Sequence, residues 1–403
     1  MIRFVDFVFS KRCYPGSDVA KKKTTEICVE DILNDFAELP DPRSHVNQRH
    51  LLGDIIVISI MAVIAGADGP KAIGVWAKSN EDWLKDRLKL PSGVPSHDTI
   101  GRVLMTLKPA AFQSCFERWI KRLSGKPKQG ELDIVAIDGK ALRRSHDRAG
   151  GLGPLFLVSA WAVTRGISLG QLATAEKSNE ITAIPELLDQ IEIKKSVVTI
   201  DAAGCQRNIA AKIVDGKGDY VLALKGNQGT LHDAVIDYIT RHMENDFADT
   251  TVRKHVERVK GHGRNDELIY YQLPVPEELV GKEKWKNMRT IGVVIRMSES
   301  GKKWTSDVRY YISSLALGVK RFAACVRGHW GIENTLHWCL DVTFREDESR
   351  VRNRILADNL AWLKRFAISL LKQVDNKESI AMRRRMAGWN PNFLAQVLGI
   401  PTS

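Results

Sequence analysis

The stretch IVAIDGKALRRS at residues 134–145 begins as a buried strand and ends as a cationic turn. Ile134, Val135, Ala136 and Ile137 form an apolar run of the kind that lies between two covered faces of a sheet. That run delivers Asp138 to the strand end, where Gly139, Lys140, Arg143 and Arg144 follow. VVTIDAAGCQ at 197–206 repeats the pattern and carries Asp201 out of a second strand, with Arg207 next in line. If the two strands are neighbours, the carboxylates stand side by side. They repel unless a cation lies between them. Hard oxygen ligands suit Mg²⁺, with Mn²⁺ as a substitute. The flanking cations Lys140, Arg143 and Arg144 then fit an anionic, phosphate-bearing substrate.

Around these two strands the pattern is α/β. LFLVSAWAV (155–163), SLGQLATA (168–175) and YVLALK (220–225) read as further strands, with helices at AIPELLDQI, NIAAKIVD and from about 229. This predicts a mixed sheet flanked by helices. Residues 250–315 read as a β-rich insertion that interrupts it, and helices return after 318. Upstream, EDILNDFAEL, LLGDIIVISIMAVIAGA, AIGVWAKSNEDWLKDRL, PSHDTIGRVLMTL and AAFQSCFERWIKRL keep helical spacing. SGKPKQG at 124–130 has linker composition. The resulting division is a leader (1–27), an all-helical unit (28–123), a catalytic unit (131–375) and a basic tail (376–403).

A third acid comes from RGHWGIENTLHWCLDVTFREDESRVR, where Glu333 has Trp330 at i−3 and His337 at i+4 on one helix face. A carboxylate beside those rings faces the sheet; the bland reading makes it a helix charge or a partner for Arg327. The acids Glu346, Asp347 and Glu348, between Arg345 and Arg350, read as a solvated, salt-bridged turn. The histidines and cysteines of this segment match no zinc spacing.

The 403 residues carry 60 Lys and Arg against 48 Asp and Glu, a formal +12, which points to a polyanionic partner. Six cysteines lie scattered without a CxxC pair, as in a reducing cytosol. The longest apolar run, at 55–67, is too short to span a bilayer, so no membrane role is expected.

AIDGKALRRS, IDAAGCQRNIA, ALKGNQ, KGHGR and HWGIENTLHWCLDVTFREDESRVR, in this order, resemble the successive motifs of H-repeat-associated bacterial insertion-sequence DDE transposases. LPDPR and PSHDTIGRVL resemble the helical domain that accompanies them, so the likeness runs from about 30 to 400. It implies an RNase H-like catalytic domain in which Asp138, Asp201 and Glu333 hold Mg²⁺ (or Mn²⁺). It also implies a double-stranded DNA partner (element terminal repeats and target), contacted by Lys140, Arg143, Arg144, Lys225, Asn227, Arg264, His329 and Trp330. A homodimer or higher oligomer on DNA, in the bacterial cytoplasm at the nucleoid, follows from the same likeness. The helical unit would recognise DNA ends or dimerise. Two alternatives stay open: a catalytically inactive, domesticated DNA-binding protein, or a metal-dependent nuclease without strand transfer.

Overall fold

In a computed structural model, residues 29–124, 131–147, 150–174, 180–261, 264–301 and 303–400 are described. The leader 1–27, most of the linker and His262 and Gly263 of the KGHGR motif lie outside these residues.

One nine-stranded sheet organises the protein, in the order β3-β2-β1-β4-β5-β9-β8-β7-β6. β1 (Ile134–Leu142) pairs antiparallel with β2 (Leu155–Ala162), which pairs antiparallel with β3 (Ile167–Thr174). On its other side β1 runs parallel to β4 (Val197–Ile200), and β4 runs parallel to β5 (Asp219–Leu224). The crossovers are α7 (Glu180–Gln190) and α8 (Arg207–Asp215), and α9 (Gly229–Glu244) follows β5.

The region 250–315 does not interrupt the sheet; it extends it. β6 (Arg253–Gly261), β7 (Arg264–Pro274), β8 (Thr290–Ser300) and β9 (Lys303–Ser313) form a meander, and β9 pairs antiparallel with β5 from Val221↔Ser313 to Leu224↔Tyr310. The apolar second half of β9 supplies the partner that the edge of β5 lacks. The other half, back to Lys303, overruns the end of β5 by about 20 Å, at about 3.3 Å per residue.

Side-chain alternation divides the core. Val135, Ile137, Val158 and Ala160 face α7, α8 and α9. Ile134, Val197, Val221 and Tyr311 face α10 (Val319–Gly331) on the opposite side, where Phe322 fills the centre. Ala136, Trp161 and Ala162 meet α12 (Arg354–Gln373), a helix buried on nearly every side. Between α10 and α12 lie a π-helical turn, Ile332–His337, and the short α11 (Trp338–Val342).

The N-terminal helices are α1 (Val29–Asp35), α2 (Leu52–Ile64), α3 (Pro70–Ser79), α4 (Glu81–Lys85), α5 (His97–Thr106) and α6 (Pro109–Ser124). Ser96 caps α5 through its hydroxyl, which accepts from Thr99 N. These helices share one core with α12. Phe116 stacks on Trp362 at 6.0 Å, and Trp119 meets Phe366 at 4.6 Å, contacts worth about 0.5–1.5 kcal/mol each beyond burial. Asn359, inside α12, spends its amide on Leu104 O (2.8 Å) and Leu107 O (3.0 Å), carbonyls left over at the end of α5. Residues 380–398 of the basic tail form α13 (Ile380–Trp389) and α14 (Pro391–Leu398), which close the same core. Among the described residues no helix is long and apolar enough to cross a membrane.

Candidate active site

The parallel register Ile137↔Ile200 makes Asp138 and Asp201 the next residues along two adjacent strands, on the face that α10 covers. Each carboxylate is oriented by backbone. Asp138 Oδ1 accepts from Gly139 N at 2.9 Å, and Asp201 Oδ1 accepts from Ala203 N at 3.0 Å and Gly204 N at 3.3 Å. Gly204 must be glycine, since a Cβ there would lie 2.3 Å from Ile200 Cγ2. Glu333 sits in the π-helical turn and stays exposed. Such turns recur at functional sites. Burial pushes the Asp138 carboxyl up to about 7, and the charges of Asp201, Glu180 and Glu333 push the same way against the Gly139 hydrogen bond. The charges of three other acids thus converge on Asp138. Among the described residues, however, no three His, Cys, Asp or Glu side chains close around a single point tightly enough to hold a metal ion.

The cations divide differently from the sequence reading. Lys140 is buried, with Nζ at 2.7 Å from Asp341, 2.8 Å from Asp347 and 3.5 Å from Glu346. It anchors the end of β1 to the 341–347 segment and is occupied by these acids, whereas Arg143 and Arg144 lie in the turn beyond the strand. Arg143 and Arg144 are exposed, Arg143 leaning on Asp347 at 3.1 Å. Lys225 and Asn227 follow β5 at the same sheet end as Asp201 and are exposed. Asn227 Nδ2 donates to Ala202 O at 2.7 Å, and Gln228 Nε2 to Cys205 O at 3.0 Å, pinning the loop that holds Asp201.

His329 is only partly accessible. Its Nδ1 lies 3.4 Å from Thr199 Oγ1, and burial pushes its pKa down against the charge of Asp201. Trp330 packs beside α10's core with Arg309 over its ring at 5.3 Å. Arg264 is at the β6–β7 hairpin and pairs with Asp266 at 3.0 Å, away from the carboxylates. The turn 346–348 is not solvated at its start. Glu346 is buried and pairs at 2.7 Å with Arg365, which is wholly inaccessible.

Sequence reasoning missed Glu180 and Arg309. Glu180 is the first residue of α7, and only its place opening a helix marked it. Nothing local distinguishes Arg309, whose nearness to Glu333 depends on β9 pairing with β5.

A strand pair thus presents two aspartates at one sheet end, and the charge of a helix-borne glutamate acts on the first of them. The model for the transposase DDE domain matches residues 129–371, and its DDE-associated model matches 33–120. The chain belongs to the DDE transposase family. It is 36% identical over 378 residues to the H repeat-associated putative transposase YhhI of Escherichia coli (strain K12), covering 92% of this chain and 98% of that one. The putative transposase YncI of Escherichia coli O157:H7 is 36% identical over 375 residues, covering 92% and 95%. A cryo-EM structure of a piggyBac transposase synaptic complex with hairpin DNA overlays with a TM-score of 0.40 and 12% identity, over 93% of this chain and 79% of that one.

Proposed function

We propose that this transposase cuts DNA at the ends of an insertion sequence and joins the freed 3′-hydroxyl to target DNA, with Asp138, Asp201 and Glu333 as its catalytic carboxylates. The observation that carries the reading is Asp138, a strand-borne acid held near pKa 7 by burial and by Asp201, Glu180 and Glu333. The strand order β3-β2-β1-β4-β5, with three antiparallel strands and then two parallel ones, supports an RNase H-like assignment for residues 131–375. The helical unit 28–123 is assigned to end recognition or dimerisation, and the working form is an oligomer on DNA at the nucleoid.

A hard divalent cation suits this donor set, because it would offset the charges of Asp201, Glu180 and Glu333 that bear on Asp138. Asp138, Asp201 and Glu333 would hold it. When bound, Mg²⁺ or Mn²⁺ supplies activation of a water or 3′-hydroxyl and stabilisation of the leaving oxygen. The chain's own residues do the rest. Gly139, Ala203 and Gly204 amides fix the two aspartates, and Asn227 and Gln228 brace the loop behind Asp201. Arg143, Arg144 and Lys225 give the phosphate backbone a cationic rim, which positions DNA without reading bases.

The test supplies duplex element ends and target DNA with Mg²⁺. Wild type should cut and join; Asp138→Asn, Asp201→Asn and Glu333→Gln should bind ends yet lose both steps together. Mg²⁺ should also raise the melting temperature of wild type and not that of Asp138→Asn. Cutting without joining would reduce the protein to a nuclease, and full activity of Glu333→Gln would remove that residue from the site.

A further inference from the structure

We propose that Arg309 of β9 is a phosphate-holding residue of this site, gripping one backbone phosphate of the bound strand beside Glu333. The inference rests on the reaction assigned above and adds a residue that lies outside every motif of the sequence.

Three observations converge on it. The first is register. Ala223 pairs with Tyr311 and Leu224 with Tyr310, so the row continuing through Lys225 leads to Arg309. Side chains alternate, and Tyr311 belongs to the α10-facing core. Arg309 therefore stands on the same face as Asp138 and Asp201, two strands beyond Asp201. The second is restraint. Its Nε donates to Asp307 Oδ2 at 2.8 Å, and its guanidinium lies 5.3 Å over the ring of Trp330, three residues before Glu333. The third is access: 44% of the Arg309 side chain remains exposed, and the charge of Glu333 is among those that act on it.

A purely structural role is too small to explain this arrangement. An exposed ion pair contributes roughly 0–1 kcal/mol, and an exposed cation–π contact about 0.5–1 kcal/mol. What the two contacts accomplish together is to fix the plane and heading of a guanidinium whose fork matches phosphate geometry. A strand crossing the sheet end from β1 passes carboxylates first, then Lys225, then Arg309. Strand polyanion and site carboxylates repel, and a fixed cation at Glu333 holds the strand against that repulsion.

Phosphate-ethylation interference on an element-end duplex, with the full-length protein, decides the matter. For wild type, ethylation of one phosphate near the cut should block binding. Arg309→Ala should lose that single interference and keep the others, and should bind the element-end duplex several-fold more weakly. Its cleavage rate at saturating DNA should drop about 100-fold, as expected for a misplaced reacting group. Trp330→Ala should show the same missing phosphate, and the double variant should be no worse than either. Arg309→Lys, which keeps charge and length but not the fork, should weaken interference at the same phosphate and covers the case of an unfolded alanine variant. An unchanged interference pattern in the Arg309 variants overturns the proposal. If wild type cuts no DNA, the assigned reaction falls, and the interference pattern, which needs only binding, still decides Arg309.

Discussion

His337 Nδ1 lies 3.4 Å from Asp138 Oδ2, reaching the first acid of the site from the π-helical turn that also carries Glu333. Burial, and then the charges of Arg365 and Lys140, push the His337 pKa down to about 3. The ring is neutral at physiological pH, so it meets Asp138 as a dipole and not as a countercharge. Groups that orient a metal-holding carboxylate set its affinity, and losing one costs about 10–100-fold. His337→Ala should therefore shift the Mg²⁺ midpoint for cleavage upward by about that factor, with maximal rate at high Mg²⁺ largely kept. A midpoint identical to wild type would detach His337 from the site.

Gly139 has no room for a side chain. A Cβ would stand 2.5 Å from Phe156 Cε1 and 2.8 Å from Glu180 Oε1. Overpacking of this kind costs about 1–3 kcal/mol, and here the shift falls on the residue after Asp138. Gly139→Ala should lower stability in urea by that amount and reduce cleavage disproportionately. Phe156→Leu, added to it, should restore part of both. A stable, fully active alanine variant would contradict the packing described.

The Glu346–Arg365 pair is a different kind of element from an exposed ion pair. Burial alone would raise the Glu346 pKa, but Arg365, Lys140 and Lys364 outweigh it and hold the carboxyl at about 2. Its folded pKa lies below the ordinary 4.5, so it contributes stability at neutral pH that disappears as pH falls from about 4.5 toward 2. Breaking a buried pair by removing one partner costs about 3–5 kcal/mol. Arg365→Met should show that loss in urea unfolding at pH 7, and Glu346→Gln should flatten the acid limb of the stability profile. Equal acid sensitivity in Glu346→Gln and wild type would count against the pair.

Asp358 has the opposite sign. Burial pushes its carboxyl up to about 6, against the hydrogen bond from Gln171 Nε2 and the charge of Arg365. The folded chain keeps a proton there that the unfolded chain has released, so this residue makes stability decline as pH rises from about 4 to 6. Above that window the penalty is about 2–3 kcal/mol, at 1.36 kcal/mol per unit. Asp358→Asn, which still offers Gln171 an acceptor, should be more stable than wild type at pH 7.5 and about equal at pH 4. A variant no more stable at pH 7.5 would show that the buried carboxylate is accommodated without cost.

The parts legible in the sequence were those written in local pattern. The apolar runs ending at Asp138 and Asp201 announced strands and acids together, and the spacing in PSHDTIGRVLMTL announced a helix. What stayed hidden depends on partners far along the chain. Lys140 looks like a solvent cation until the 341–347 acids fold over it. Arg309 acquires its place only through β9 pairing with β5. The π-helical turn shifts the phase of the Glu333 helix, which no count of threes and fours foretells.

The bonds from Asn359 to Leu104 and Leu107 span 255 and 252 residues of chain. On the ribosome, at about 5–20 residues per second, α5 emerges roughly 10–50 s before the helix that covers it. During that wait the apolar faces of α2, α5 and α6 have no α12 to bury them. A product truncated before α12 would thus be left with a sticky, unfinished bundle, material for chaperones and proteases. Completion of synthesis is in this sense a licensing step: only a chain translated through residues 354–373 can close the structure that carries the acids.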